Sequence, residues 1–383
     1  MKLLLWHWGR RGGGPMYTYE MARALSTLPS LQVHLSLSRQ SELLKESQEL
    51  GLPGWPVDTY TGPMDALRAS LRLPRLRRKF SAYLDRERFD WVCCTMTHLW
   101  NPFMLKGVRQ SGARYLLVLH DARHHPGERY PLLGRMLKSE VNRADLVVTL
   151  SEYVRSQAIE TFKLQPANVC VIPHGPFFYG RPRTPASAPP AKMPMRLLFF
   201  GRILPYKGLD LLVEAMRLLK RDFPEVKLIV AGQGNLGEGN RKALAELGAK
   251  VVNRWLASEE VSAIIAEGDL LVAPYTSASQ SGVLPLAYAH ALPVVATEVG
   301  GLREQVLPGV TGLLSGPPDP ASLARTIARV ISDPALYARL SAGASEYAAQ
   351  SIAWPGLARQ LASAMEQTGK RMSSPHRLRP VPA

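Results

Sequence analysis

The sequence has no apolar run long enough to cross a bilayer. Its longest apolar runs, at 197–200 and 269–275, fall far short of the ~20 residues that a membrane-spanning helix needs. The amino-terminal segment lacks the apolar length and the cleavage site of a signal peptide. The three cysteines, Cys93, Cys94 and Cys170, have no metal-binding spacing. We therefore expect a globular protein of the cytosol with reduced cysteines.

Acidic residues are scarce, and 47 Lys and Arg against 31 Asp and Glu give a net charge of +16. Such chains associate with polyanions. The excess is concentrated between Arg68 and Arg88, where apolar residues are interleaved with the basic ones. This segment is either an amphipathic helix on an anionic membrane or a solvated basic helix face. The membrane contacts would be Arg75, Arg77, Arg78 and Lys79. No recognisable nucleic-acid module accompanies the charge, so we expect no nucleic acid partner.

Several common signatures of cofactor and metal sites are also missing. The glycines of RRGGGP do not form the GxGxxG fingerprint of dinucleotide-binding proteins. The sequence has neither a D-x-D pair for a metal-bound diphosphate nor a second spaced cluster of metal ligands. We therefore expect no resident cofactor and no metal.

The order of elements predicts an α/β protein of two domains. Short strands rich in Leu and Val alternate with helical segments in both halves of the chain, which is typical of doubly wound parallel sheets. We expect a first Rossmann-like domain over 1–178, a proline-rich linker over 179–195 and a second Rossmann-like domain over 196–352. The two domains would face each other across a cleft, and residues 370–383 would form a disordered tail.

Two loops of the first half are candidate site segments. RRGGGP, at 10–15, joins a strand to a helix, so Gly13 and Gly14 could bring the backbone close to a ligand. LHDARHH, at 119–125, places His120 and Asp121 at the end of another strand, with two more histidines after them. Titratable groups in this position are candidates for catalysis.

Three loops of the second half suggest a diphosphate site. FGRILPYKG contains Arg202 and Lys207, with Gly208 at the start of a helix, and two cations beside helix amides suit a diphosphate. The glycine-rich loop at 230–239 includes Gly234 and is compatible with nucleotide contact. No formal charge occurs in SASQSGVLPLAYAHALPVVAT, at 277–297. Its helix amino terminus could bind an anion without charged side chains. The residues concerned are Gln280, Ser281 and Gly282.

Several of these segments resemble the GT-B glycosyltransferases, family 4 in particular. They are FGRILPYKGLDLLVEAM, LPVVATEVGGLREQVLPGVTGLL, ADLVVTLSEYV, VIPHG and SIAWPGLARQL. The resemblance implies an acceptor-binding first domain, a nucleotide-sugar-binding second domain and a C-terminal helix, at 353–369, that crosses back to the first domain. It also implies metal-free catalysis, with Arg202 and Lys207 on the diphosphate and His120 near the transferred sugar.

The sequence departs from family 4 at the two glutamates that the family usually carries. Ala278 and Leu286 stand at those positions, so retention of anomeric configuration is not assured. Short stretches resemble inverting, xanthan-type exopolysaccharide mannosyltransferases. We therefore expect transfer of mannose from GDP-mannose to a lipid-linked oligosaccharide at the inner face of the plasma membrane, with Asp121 as general base. The alternatives are a retaining hexosyltransferase that uses a UDP-sugar, a sugar-nucleotide epimerase and an inactive nucleotide-sugar-binding protein.

Overall fold

A computed structural model describes residues 1–123, 131–179 and 195–373 of the 383-residue chain. Contacts divide them into two compact units. The first unit comprises 1–122, 131–173 and 354–373, and the second comprises 123, 174–179 and 195–353. Residues 180–194 of the predicted linker and the histidines at 124 and 125 lie outside the described residues.

The first unit is built on a parallel six-stranded sheet in the order β2-β1-β3-β4-β5-β6. Its strands are β1 Lys2–His7, β2 Gln32–Leu37, β3 Trp91–Cys94, β4 Arg114–Leu119, β5 Leu146–Thr149 and β6 Val169–Val171. Its helices are α1 Gly13–Leu25, α2 Leu44–Glu49, α3 Pro63–Ser70, α4 Leu73–Glu87, α5 Asn101–Gln110, α6 Pro131–Val141 and α7 Glu152–Phe162, together with the C-terminal α15 Trp354–Ser373.

The second unit has its own parallel six-stranded sheet in the order β12-β11-β10-β7-β8-β9. Its strands are β7 Arg196–Phe200, β8 Lys227–Ala231, β9 Lys250–Val252, β10 Leu270–Ala273, β11 Val294–Ala296 and β12 Gly312–Leu314. Its helices are α8 Leu209–Asp222, α9 Glu238–Glu246, α10 Ser258–Glu267, α11 Val283–Ala289, α12 Leu302–Gln305, α13 Pro320–Ser332 and α14 Pro334–Gln350.

The apolar runs of the strands are explained by burial on both faces of each sheet. In β7, Leu197 and Phe199 pack into one core cluster of the second unit, and Leu198 packs into the cluster on the opposite face. A parallel sheet covered by helices on both sides needs apolar residues at consecutive positions, because alternate side chains point to opposite faces. This requirement explains why the strands read as continuous runs of Leu, Val and Phe.

The strand orders identify one switch point in each sheet. In the first sheet the order reverses between β1 and β3, and in the second between β7 and β10. At such a point the loops that leave neighbouring strands run to opposite sides of the sheet and open a crevice at the carboxyl ends of the strands. A ligand site is therefore expected at the loops after β1 and β3 in the first unit and at those after β7 and β10 in the second.

The C-terminal helix α15 packs on α1 within the first unit. The rings of Trp354 and Tyr17 meet edge to face with their centroids 5.2 Å apart. At its other end, Arg371 donates hydrogen bonds to the Ala167 carbonyl at 2.6 Å and to Asn168 Oδ1 at 2.9 Å. The helix thus extends to Ser373, four residues into the segment predicted to be a disordered tail. It does so because Arg371 is anchored to the turn before β6. Residues 374–383 lie outside the described residues.

The basic segment from Arg68 to Arg88 spans the end of α3 and all of α4. Phe80, Tyr83 and Leu84 are buried in the core of the first unit. These three apolar side chains of α4 therefore stabilise the fold and are not available to lipid, which corrects the expectation of a lipid-facing apolar side for that part of the segment. The basic side chains at 75 and 77–79 are exposed. None of the described helices has the length and apolarity required to span a membrane.

Candidate functional site

The loop after β7 is fixed against the loop after β10. Gly201 and Gly208 both have positive φ angles, 114° and 71°. At Gly208 a Cβ atom would lie 1.8 Å from the Pro274 carbonyl oxygen, so only glycine fits there. The Thr276 amide also donates a hydrogen bond to the Tyr206 carbonyl at 2.8 Å. These contacts hold the loop at the switch point of the second sheet.

Arg202 and Lys207, the two predicted diphosphate ligands, lie on this loop. The Nζ atom of Lys207 lies 3.8 Å from the ring centroid of Tyr275 and 5.3 Å from that of Tyr206. A cation over an aromatic face is attracted to it, so the two rings hold the ammonium in place. Arg202 is exposed. Neither cation forms an ion pair with a carboxylate of the residues that the structure describes, so both charges are available to an anion.

Gly234, predicted in the glycine-rich loop after β8, supports the same loop from the other side. Gly234 pairs with Ile203 as an isolated β-bridge, and a Cβ atom on Gly234 would lie 2.1 Å from the Ile203 carbonyl oxygen. Its amide donates to Asn253 Oδ1 at 3.1 Å. Gly234 thus permits a close approach between two backbone segments beside Arg202.

The segment that leads into α11 is arranged differently from the prediction. The Ser281 amide donates to Gln305 Oε1 at 2.7 Å, and the Ser281 carbonyl accepts from Gln305 Nε2 at 3.0 Å. An amide has one proton to donate, so the Ser281 amide does not serve an anion. The Gly282 amide makes no hydrogen bond to any described residue. The Gln280 side-chain oxygen is buried and has no described partner; as an acceptor, it suits a hydroxyl group better than a phosphate.

The two positions at which family 4 usually has glutamates lie in the apolar core of the second unit. Ala278 is 3% exposed and Leu286 2% exposed, and both belong to the cluster on the α11 side of the sheet. A carboxylate would be costly at either position without a partner. The apolar packing around Ala278 and Leu286 is therefore consistent with the absence of glutamates at these positions.

His174 is a site residue that the sequence interpretation missed. It is buried, and its Nδ1 atom lies 2.6 Å from the Gly175 carbonyl. A Cβ atom on Gly282 would lie 3.1 Å from His174 Nε2, so the imidazole covers the start of α11. The motif VIPHG, in which a histidine lies three residues after the end of β6, was the signal that could have identified it.

In the first unit, His120 is oriented by the strand next to it. Its Nε2 atom lies 2.9 Å from the Thr95 carbonyl. Because a carbonyl only accepts, Nε2 carries the proton and Nδ1 the lone pair. Burial lowers the pKa of His120, while the Thr95 hydrogen bond and the Asp121 carboxylate act in the opposite direction. His120 is therefore neutral at pH 7, and the Asp121 side chain beside it is exposed.

Two further histidines occur at the switch point of the first sheet. His7 ends β1, and neither of its ring nitrogens has a hydrogen-bond partner of ordinary geometry among the described residues. Burial lowers the pKa of His7 to about 3, helped by His98 and His120, while the backbone at Met96 opposes this effect. His98 contacts the Tyr60 hydroxyl at 3.0 Å, and its pKa is lowered to about 4 by burial and by the nearby Arg10. Sequence analysis missed both, although each lies at the end of a strand or just after one.

The glycines at the start of α1 make room for His7. A Cβ atom on Gly14 would lie 2.7 Å from His7 Cε1, so Gly14 is needed for packing. Gly13 is exposed. The preceding amide, that of Gly12, donates to Glu42 Oε1 at 2.7 Å. A carboxylate of the protein itself thus lies at this helix terminus, and the predicted contact of Gly13 and Gly14 with the donor stays a prediction.

The cavities of each unit are lined by other residues. A cavity of about 580 Å³ lies between α8 and α9 of the second unit and is lined by Pro205, Asp210 and Asn235 but by none of the predicted site residues. A cavity of about 620 Å³ in the first unit is lined by Arg88, Asp145 and their neighbours. Among the described side chains, no three His, Cys, Asp or Glu residues are grouped as a metal ion would require.

Two sequence families match this chain in adjacent segments. The model of the family described as Glycosyltransferase Family 4 matches residues 11–175, and that of Glycosyl transferases group 1 matches residues 194–333. The first match ends within a few residues of the end of the first unit's sheet, and the second begins at β7. The two matches therefore correspond to the two units.

Relatives and solved structures agree with this assignment. The chain is 29% identical to a D-inositol 3-phosphate glycosyltransferase of Thermobispora bispora, over 98% of this chain and 94% of the relative. It is 26% identical to a GDP-mannose-dependent alpha-(1-6)-phosphatidylinositol monomannoside mannosyltransferase of Mycolicibacterium smegmatis, over 66% and 71% of the two chains.

Among solved structures, Anabaena HepE in complex with UDP superposes with a TM-score of 0.73 at 20% identity and covers 96% of this chain and 100% of its own. This similarity and the two parallel α/β sheets confirm the predicted GT-B fold class. The family matches and the fold together show that this chain belongs to the GT-B glycosyltransferases of the family-4 type.

Proposed function

We propose that this glycosyltransferase transfers a hexose from a nucleotide sugar to a lipid-linked oligosaccharide during bacterial exopolysaccharide assembly. We propose GDP-mannose as the donor, and transfer with inversion of the anomeric configuration. The observation that carries the proposal is the loop after β7 at the switch point, where Tyr275 holds the ammonium of Lys207 and Arg202 lies exposed on the same loop. Arg202 and Lys207 would neutralise the diphosphate as it leaves, which is the main charge that this reaction develops.

The choice of donor is supported by similarity. The mycobacterial relative is named as GDP-mannose-dependent, and short stretches of this sequence resemble xanthan-type mannosyltransferases. HepE was solved with UDP, which makes a UDP-sugar the main competitor. The Gln280 side-chain oxygen, buried without a described partner, would accept a hydrogen bond from a donor hydroxyl.

Inversion is supported by the apolar surroundings of Ala278 and Leu286. In an inverting transfer, the acceptor oxygen forms a bond to the anomeric carbon while the bond from that carbon to the diphosphate oxygen breaks. The bonding electrons leave with the diphosphate, and a general base takes the hydroxyl proton. We assign the base to Asp121. The neutral His120, with its proton on Nε2 held by Thr95, would present the Nδ1 lone pair to a sugar hydroxyl.

We propose that the acceptor binds the first unit and that no metal takes part. Arg202 and Lys207 then supply the positive charge that a metal would otherwise provide at the diphosphate. A lipid-linked acceptor places the protein at the inner face of the plasma membrane as a peripheral protein. The exposed basic side chains of α4, at 75 and 77–79, would face anionic headgroups.

Incubation of the purified protein and membranes with GDP-mannose, UDP-glucose and other nucleotide sugars tests the proposal. We expect transfer from GDP-mannose, and a product whose anomeric configuration, assigned by NMR, is opposite to that of the donor. A product of retained configuration would favour the retaining alternative. Binding of the nucleotide without any transfer would favour an inactive nucleotide-sugar-binding protein.

A further inference from the structure

Helix α3 leaves three large apolar side chains in solvent. Met64 is 80% exposed, Leu67 75% and Leu71 84%, whereas no other large apolar side chain of the described residues exceeds 50%. Leu71 immediately follows α3 and retains a helical backbone conformation. The spacing i, i+3, i+7 aligns the three on one face of the helix. We call Met64, Leu67 and Leu71 the α3 stripe.

The opposite side of the same helix is anchored to the first unit. Ala69 is buried, and Ser70 Oγ accepts a hydrogen bond from Trp100 Nε1 at 3.3 Å. Leu73, at the start of α4, packs against the core. The helix is therefore held by one face, and the α3 stripe is the face left without a protein partner among the described residues.

The charge around the α3 stripe is mostly positive. Residues 63–79 contain six basic side chains and one acidic one, Asp65. Asp65 accepts hydrogen bonds from the Thr61 amide and hydroxyl, which hold it at the start of the helix. Arg68 and Arg72, beside the α3 stripe, are exposed and form no close ion pair with a described residue, although both help to lower the pKa of Asp65.

We propose that the α3 stripe inserts into an anionic membrane surface, with Arg68 and Arg72 at the level of the headgroups. A narrow apolar row flanked by unpaired arginines fits a negatively charged lipid interface, because lipid solvates the apolar groups and phosphate the cations. An acidic protein partner would offer no comparable apolar depth for three unbranched or γ-branched side chains in a row.

The position of α3 gives this contact a consequence for the site. Just before the helix, the Tyr60 hydroxyl contacts His98, and the Thr61 carbonyl accepts a hydrogen bond from Arg10 in the loop after β1. The α3 stripe therefore lies beside the switch point of the first sheet. If the acceptor is lipid-linked, as the proposed function has it, insertion of the α3 stripe brings the switch point of the first sheet to the membrane surface where that acceptor lies.

Binding of the full chain to vesicles tests the insertion. We expect it to bind vesicles of equal parts phosphatidylcholine and phosphatidylglycerol. The triple variant Met64→Ser, Leu67→Ser, Leu71→Ser should bind these vesicles with an affinity that is lower by about tenfold or more. Val310→Ser, which changes an apolar residue 47% exposed in the second unit, is the matched control and should bind as wild type. Unchanged binding of the triple variant would overturn the proposal.

A fluorescent label reports insertion directly. An environment-sensitive dye attached at Leu67→Cys should brighten and shift to shorter wavelength with anionic vesicles but not with pure phosphatidylcholine. The absence of a shift, or self-association through the α3 stripe in sedimentation without lipid, would refute the insertion. Sugar transfer to a detergent-solubilised acceptor tests the proposed function separately, because the triple serine variant should keep this activity whether or not the stripe inserts.

Discussion

The ammonium group of Lys207 lies 3.8 Å from the ring centroid of Tyr275, and the hydroxyl of the same tyrosine lies 3.1 Å from Ser281 Oγ. Tyr275 thus connects the loop after β7 with the start of α11. One aromatic side chain positions a cation and the uncharged turn SASQSG together. The diphosphate site that we propose would therefore depend on the ring of Tyr275 as well as on its two cations.

Replacing Lys207 with Ala should weaken nucleoside diphosphate binding by about tenfold to a hundredfold, because a charged hydrogen bond contributes roughly 1.5–3 kcal/mol. Isothermal titration calorimetry with GDP and UDP measures the dissociation constant. Tyr275→Phe keeps the ring under the ammonium and loses only the hydroxyl, so it should bind nearly as wild type. A Lys207→Ala variant with an unaltered dissociation constant would remove Lys207 from the phosphate site.

Replacing Asp121 with Asn should lower turnover by about a hundredfold or more, as expected for loss of a general base. Donor binding should survive, because the predicted diphosphate ligands belong to the second unit. Turnover is measured with saturating donor, and binding by calorimetry. Arg123→Gln, which removes an exposed charge two residues away, serves as the control. If turnover of Asp121→Asn matched wild type, the base would have to be another residue.

Replacing Gly208 with Ala should both destabilise the second unit and weaken diphosphate binding. Its φ of 71° is unfavourable for alanine, and the Cβ atom would overlap the Pro274 carbonyl. The matched control is Gly248→Ala, where φ is also positive, at 64°, but nothing lies within 4 Å of the Cβ position. The control should cost only about 1–2 kcal/mol and leave binding intact. Equal losses in the two variants would show that the Pro274 contact is unimportant.

The stability of the first unit should fall in mild acid. The pKa of His7 is about 3 in the fold and about 6.5 when unfolded, so between these values only the unfolded chain binds this proton. The contribution of His7 is complete above pH 6.5 and declines as the pH falls toward 3, by about 1.4 kcal/mol per pH unit. Glu140, whose pKa burial raises to about 6, acts in the opposite sense between pH 6 and 4.5.

Urea unfolding at pH 7 and pH 5 measures this dependence. Six of the seven tryptophans belong to the first unit, all but Trp255, so their fluorescence follows that unit. The variant His7→Gln should lose less stability on acidification than wild type, and Glu140→Gln should lose more. An identical pH dependence in His7→Gln and wild type would mean that His7 is not protonated on unfolding in this range.

The sequence predicted much of the fold because its local patterns and the tertiary structure agree. The continuous apolar runs at 197–200 and 270–273 are typical of strands covered on both faces, and the structure has them as β7 and β10. Gly208 was predicted at the start of a helix, and the structure requires a glycine there. The site was less predictable, since His7, His98 and His174 are separated along the chain and meet their partners only through the order of the strands.

The amino-acid sequence by itself determined the α/β class, the two units and the loops that carry Arg202, Lys207, His120 and Asp121. It could do so because hydrophobic periodicity and the glycines and prolines that end helices and strands are local properties. Only the tertiary structure decided which groups remain available. In the folded chain the Ser281 amide donates to Gln305, the apolar side of α4 is buried and the α3 stripe is exposed to solvent. Burial and hydrogen-bond pairing depend on neighbours that are distant in sequence, and no local pattern specifies them.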